Sequence, residues 1–267
     1  MMPTGSLVGA LLLLIVQPLP VHNDGPVAVA APVQFAPPVG RPMTYRVTMR
    51  RIGRDGMPIN FSLAYALQWQ RIGRGYQLDA VLQRIDSDAP PLVTRALARM
   101  LQPLVGEKLA YLVAPDGSRI DLVDPEQLWE RVTTRIQTTG AEGGRAEAIE
   151  LAQLIAALPA AERDRLATAD IRALLAPANV AIPSAADPDN AGVSIDQAGT
   201  LRVIAKVEHD AAVVGGHPKP LEIDNLWTID AATGLVMHDR RQSWIVEAEG
   251  GGRTLVEERV RALEPAS

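Results

Sequence analysis

Ile59-Asn60-Phe61-Ser62-Leu63-Ala64-Tyr65-Ala66-Leu67-Gln68-Trp69-Gln70 is the stretch that decides the fold. Every second residue is large and apolar, and the residues between them are small or polar. A helix would scatter the apolar set around its circumference, so a period of two predicts a strand with one buried face. Twelve such residues would extend roughly 40 Å, about twice an ordinary strand. Outward from it, Tyr76, Leu78, Ala80 and Leu82 repeat the alternation after the Gly73-Arg74-Gly75 turn. On the other side Tyr45, Val47 and Met49 do the same before Asp55-Gly56, a hairpin turn signal. Residues 42–88 therefore read as a meander of three long strands, which twists rather than lying flat.

Residues 90–180 change period. Leu92, Val93, Ala96, Leu97, Met100, Leu101 and Leu104 recur at helical spacing, and Leu128, Trp129, Val132 and Ile136 form a second stripe. Asp124-Pro125 opens that second helix as a side-chain cap followed by proline at the first helical position. A hairpin, 107–113 and 119–123 around Pro115-Asp116-Gly117, interrupts the helical block. Ile149, Ala152, Ile155 and Leu158 mark a further helix that Pro159 breaks, with short helical turns expected over 166–175. Residues 176–190, rich in Pro, Ala and Asn, read as a linker. Residues 192–263 return to strands at 201–207, 221–229, 235–246 and 254–263, with Gly234 closing the tight turn that begins at Asp230. Strands, helices, then strands with hairpin-length links imply an α+β fold. The expected form is a long-stranded, curved antiparallel sheet, half-barrel-like, with the central helical insertion packed on its concave face.

The 267 residues are 47% hydrophobic and 21% charged, a globular composition, with net charge −5. Arg50, Arg51 and Arg54 flank a turn, and Arg240-Arg241 read as a solvated strand end. Neither group supplies the basic field that nucleic acid requires, so no nucleic-acid partner is expected. Of 26 basic residues only Lys108, Lys206 and Lys219 are lysine. With the abundant alanine, this is the bias of a GC-rich bacterial genome. Cysteine is absent, which removes disulfides, zinc–thiolate sites, thiol nucleophiles and an acylated lipoprotein cysteine.

Residues 7–16 form a ten-residue apolar run, too short to span a bilayer. Ala28-Val29-Ala30 follows as a small-x-small cleavage pattern, so residues 1–30 are expected to be a signal peptide and 31–41 a Pro-rich lead-in to one α+β domain over 42–263. The run carries no basic residue before it, and an uncleaved anchor or a buried segment are the alternatives. With the signal removed, no stable transmembrane span is expected, and the protein would be periplasmic or secreted.

No nucleophile elbow, zinc-protease helix, P-loop or dinucleotide fingerprint is present. No catalytic residue, metal ligand or cofactor is therefore assigned. His209, His217 and His238 are weak polar-site candidates, because three strands could bring them together. Within His209-Asp210 and His238-Asp239, adjacent strand residues face opposite ways, so neither pair is a local dyad. His217, beside Gly215-Gly216 and Pro218, reads as an exposed loop. Tyr65, Trp69 and Trp227 are the candidates to line an apolar cavity on the concave face.

Leu158-Pro159-Ala160-Ala161-Glu162-Arg163 and the turn Asp230 to Val236, taken with the long meander, resemble uncharacterised exported bacterial proteins. More distantly, the architecture is similar to the half-barrels of periplasmic lipoprotein carriers. That resemblance implies a binding protein for an apolar or lipid-like ligand or an envelope partner, and it carries over no site residue. A hydrolase with a dispersed site, and a structural or assembly component of the envelope without ligand, are the alternatives.

Overall fold

The structure is a computed structural model, and it describes residues 34–52, 56–88, 101–140, 152–153, 156–175, 193–214, 217–247 and 252–266. The expected signal (1–30), the helix beginning at Leu92 and the 176–190 linker lie outside the described residues.

Period two becomes β1 (Pro42–Ile52), β2 (Pro58–Ile72) and β3 (Gly75–Ser87). The interrupting hairpin forms β4 (Lys108–Val113) and β5 (Ile120–Leu122). The third block forms β6 (Val193–Ala198), β7 (Leu201–Val214), β8 (His217–Asp230), β9 (Leu235–Val246) and β10 (Arg253–Pro265). All ten strands join in one curved, open antiparallel sheet, in the order β5-β4-β3-β2-β1-β10-β9-β8-β7-β6. The seam is β1 against β10, which pairs Met43 with Pro265 and Arg51 with Glu257. The first and last long strands are thus neighbours at the middle of the sheet.

Two helices belong to the described residues, α1 (Pro125–Gly140) and α2 (Ala160–Ala173). They cover the face carrying Tyr45, Leu67, Trp69, Leu78 and Tyr111, each 0–1% exposed. Leu128, Val132 and Ile136 of α1 and Ile171 of α2 enter the same apolar cluster. This face is called inner below. Two sheet hydroxyls fasten α2: Tyr45 donates to the Asp170 carbonyl at 2.9 Å and Tyr111 to the Ala167 carbonyl at 2.8 Å. The Val236 N–H donates to the carbonyl of Leu174, the residue that caps the helix, at 3.0 Å, so three sheet donors hold the C-terminal half of α2. Burial raises the pKa of Tyr45, Tyr65 and Tyr111 on the inner face, which keeps them neutral.

Several local expectations change. The turns expected over 166–175 are part of one continuous 14-residue helix that starts at Ala160, because Ala160-Ala161-Glu162-Arg163 are strong helix formers behind Pro159. Asp124 precedes α1 with φ 46°, in the left-handed region, and its backbone carbonyl accepts the Leu128 N–H, the first bond of the helix. Strands β7 and β8 run on past Val207 and begin before Leu221, so His217 is a strand residue, opposite Val214. Pro218 and Pro220 are tolerated there because the β8–β9 ladder starts only at Leu221, leaving their other edge unpaired. The core also begins earlier than Arg41: Phe35 is buried, edge-on to Trp69 and Tyr76 at 5.7 and 5.4 Å. Gly117, with φ 72°, makes room for that ring, since a Cβ would lie 2.9 Å from it.

Leu78 has no exposed surface and sits between Trp69 and Tyr111 in the ladder. Leu78→Ala is expected to cost about 2–5 kcal/mol. In urea unfolding this reads as a lower midpoint at unchanged slope.

Candidate functional site

Side chains alternate across a strand, so the register assigns each residue to a face. Across the seam the inner face runs from Tyr45 to Leu263, from Val47 to Arg261 and from Met49 to Arg259. It continues from Arg261 to Asp239 and from Arg259 to Arg241. It then passes from Asp239 to Trp227 and Ile204, and from Arg241 to Asn225 and Lys206. The same face that is apolar over β1 to β5 therefore becomes charged from β10 onward.

Arg261 anchors the transition. Its Nη1 lies 2.7 Å from an Asp239 carboxylate oxygen, and its Nη2 lies 3.0 Å from Asp170 on α2. The Arg261 and Asp239 side chains are only 8% and 7% exposed, so this is a buried pair. Burial opposes the guanidinium charge, but Tyr45, Asp170 and Asp239 outweigh it and hold the Arg261 pKa above its ordinary value. One row further on, Arg259 stands directly opposite Arg241. The Arg259 Nε is buried without a hydrogen-bond partner among the described residues, and its guanidinium is held below the usual value by burial first and by Arg261 and Arg241, with Asp239 and Asp170 opposing. No carboxylate among the described residues forms an ion pair with Arg241 or Arg259. Glu208 is already engaged, at 2.6 Å from Lys206 and 3.4 Å from the Asn225 amide.

Arg241 is therefore not at a solvated strand end. It is half-buried in mid-β9 and faces inward, while Arg240 takes the outer face. Asp239 enters the sequence reading only as the neighbour of His238, and Arg259, Arg261 and Asp170 carry no signal of their own there. The alternation Asp239-x-Arg241 and Arg259-x-Arg261 was available there, but only the register shows that these two sets oppose one another.

The candidates from sequence are distributed as follows. Trp69 has no exposed surface and is packed by Phe35 and Tyr76. Tyr65 is half-buried at the edge of the same cluster, 6.2 Å from the Tyr45 ring. Trp227 is half-buried in a separate small cluster with Ile204, Ile229 and Val236. His209 is exposed and opposite Glu222, and His238 is half-buried and opposite Thr228, both on the outer face. Glu222 is opposite Trp244, so the two histidines are offset by six strand positions, roughly 20 Å. The His217 side chain lies outside the described residues. Among the described residues no group of His, Asp and Glu is arranged to hold a metal ion, and no helix is long and apolar enough to cross a membrane.

No family model matches the chain, and no curated protein matches it in sequence. Among solved structures it is similar to a domain described as an outer membrane lipoprotein-sorting protein from Vibrio parahaemolyticus, at 7% identity and a TM-score of 0.18 over 85% of this chain and 84% of that one. It is also similar to a protein described as AttH from Nitrosomonas europaea, at 10% identity and a TM-score of 0.16 over 84% of this chain and 50% of that one. The chain thus spans half the length of the second. At scores this low neither likeness bears on the site, which is read from its own geometry.

Two outcomes are expected from this network. Asp239→Ala leaves the buried Arg261 guanidinium with Asp170 as its one remaining carboxylate and should cost about 3 kcal/mol, whereas Arg261→Met with Asp239→Leu should recover most of that in chemical denaturation. Glu208 is held below its ordinary pKa of 4.5, first by the Lys206 hydrogen bond, with burial opposing. Its contribution is complete above that value and lost as the pH falls through the lower folded value. The stability gap between wild type and Glu208→Gln should therefore be present at pH 7 and close on acidification below pH 4.5.

Proposed function

We propose that the chain is an exported bacterial envelope protein that binds an amphipathic, lipid-like ligand and catalyses no reaction. In this reading residues 1–30 are a cleaved export signal, 31–41 a lead-in and 42–263 one domain in the periplasm. The observation that carries it is the change of character along the inner face. Trp227 and Ile204 lie one row from Arg241 and Arg259, and Trp227, half-buried like the two arginines, stands over the buried apolar set Ile204, Ile229 and Val236. A ligand with an apolar body and a charged end matches that juxtaposition, and wholly apolar or wholly polar ligands match only half of it.

Of the three aromatic candidates, Trp227 would contact the ligand, Tyr65 would stand at the margin and Trp69 would support the sheet from within. A hydrolytic reading needs a base and a nucleophile within hydrogen-bond reach. The two described histidines, on the outer face and about 20 Å apart, supply no such pair.

Native mass spectrometry of protein released gently from its own envelope tests the proposal. An added mass of lipid size is expected, reduced in occupancy by Trp227→Ala. A clean apo mass under the same release would remove the binding reading.

A further inference from the structure

We propose that Arg241 and Arg259 form the seat for a phosphate-class oxyanion, the charged group of the amphiphile inferred above. The identity of the ligand as an amphiphile rests on that earlier reading, and the seat itself rests on four observations.

The two guanidinium groups belong to residues directly opposite each other across β9 and β10, on one face. Like charges in that position repel. The neighbouring carboxylates make their ion pairs elsewhere, Asp239 and Asp170 with Arg261 and Glu208 with Lys206, and act on Arg259 and Arg241 only as charges without a direct bond. The Arg259 Nε is a buried donor with nothing among the described residues to donate to, a cost that an incoming acceptor would relieve. Asn225, next in the same row beyond Arg241, adds an amide whose one bond to Glu208 is long at 3.4 Å. A guanidinium presents a planar fork of donors. Two forks and an amide side by side in one row suit a tetrahedral group with three acceptor oxygens better than a carboxylate with two.

The seat is also placed to orient a tail. Trp227 and Ile204 flank it one row to one side, and Met49 lies opposite Arg259 across the seam. An anion held by the arginine pair would leave its apolar body along either edge of the row.

The test uses the full chain and its Arg241→Gln and Arg259→Gln variants, with Arg46→Gln on the outer face as control. Thermal unfolding is followed in inorganic phosphate, acetate and chloride at equal ionic strength. Flotation with phosphatidylglycerol vesicles and with phosphate-free digalactosyl diacylglycerol vesicles separates a lipid headgroup from free phosphate. Wild type and Arg46→Gln should gain Tm in phosphate beyond acetate and chloride. Either inner-face variant should bind phosphate about tenfold or more weakly, the equivalent of one charge-assisted hydrogen bond. Without ligand, both should melt at or above the wild-type temperature, because each relieves the repulsion. Recovery with phosphatidylglycerol vesicles alone makes the group a lipid headgroup, and a phosphate response without flotation makes it a free phosphate.

An equal response to acetate, no phosphate response in wild type, or an undiminished response in the two glutamine variants would overturn the seat. The outcomes separate from those of the broader reading. A co-purifying lipid retained by both glutamine variants removes the seat and leaves lipid binding. A phosphate response in protein with a clean apo mass does the reverse.

Discussion

Antiparallel pairing of β1 with β10 sets two five-stranded meanders side by side as one surface. Each meander forms its ladders from hairpins, but neither hairpin set determines where the other lies. The seam does this through backbone hydrogen bonds along both strands, and inner-face side chains reinforce it. Tyr45 on β1 and Arg261 on β10 both reach Asp170, the first to its carbonyl and the second to its carboxylate. A single helical residue therefore spans the seam. Loss of the pairing would expose two bare strand edges and deprive α2 of half its attachment.

The same seam divides two kinds of chemistry. On the β1 side the inner face is closed by Leu67, Trp69, Leu78 and Tyr111 beneath the helices, with burial near complete. On the β10 side charged groups occupy equivalent positions: Arg261 and Asp239 are buried, and Arg241 and Arg259 are half-buried. Removing charges from water is expensive unless they are paired, and Arg261 meets that requirement with two carboxylates. Arg241 and Arg259 do not meet it within the described protein. That contrast, between a cation paired with two carboxylates and two cations without an ion pair among the described residues a single row away, gives the site its asymmetry.

Much of the architecture was legible from residues alone. The alternation from Ile59 to Gln70 is incompatible with a helix, and Pro159 and Gly234 mark boundaries by backbone chemistry that context rarely overrides. Strand extension was less legible. His217 and its flanking prolines carry turn signals, and only the absence of a β9 partner beyond Leu221 allows them in a ladder. Phe35 sits among prolines and gives no periodic signal, yet it fills a gap between Trp69 and Tyr76. The arginine row was invisible for a different reason. Alternation assigns a residue to one of two faces, but strand order and register decide which residues become neighbours. Arg241 and Arg259 meet only because both are fixed.

The seam has a kinetic side as well. Arg51 and Glu257, an ion pair within it, are 206 residues apart in the chain. Closing so large a loop costs entropy before any contact repays it, so topologies of this kind fold slowly compared with those built from local contacts. The hairpins can zip early, but the surface that they share forms only when β10 finds β1. During that interval each half-sheet is a template for the wrong neighbour, and rapid, faithful docking of the two halves is what separates the native molecule from strand-swapped aggregates.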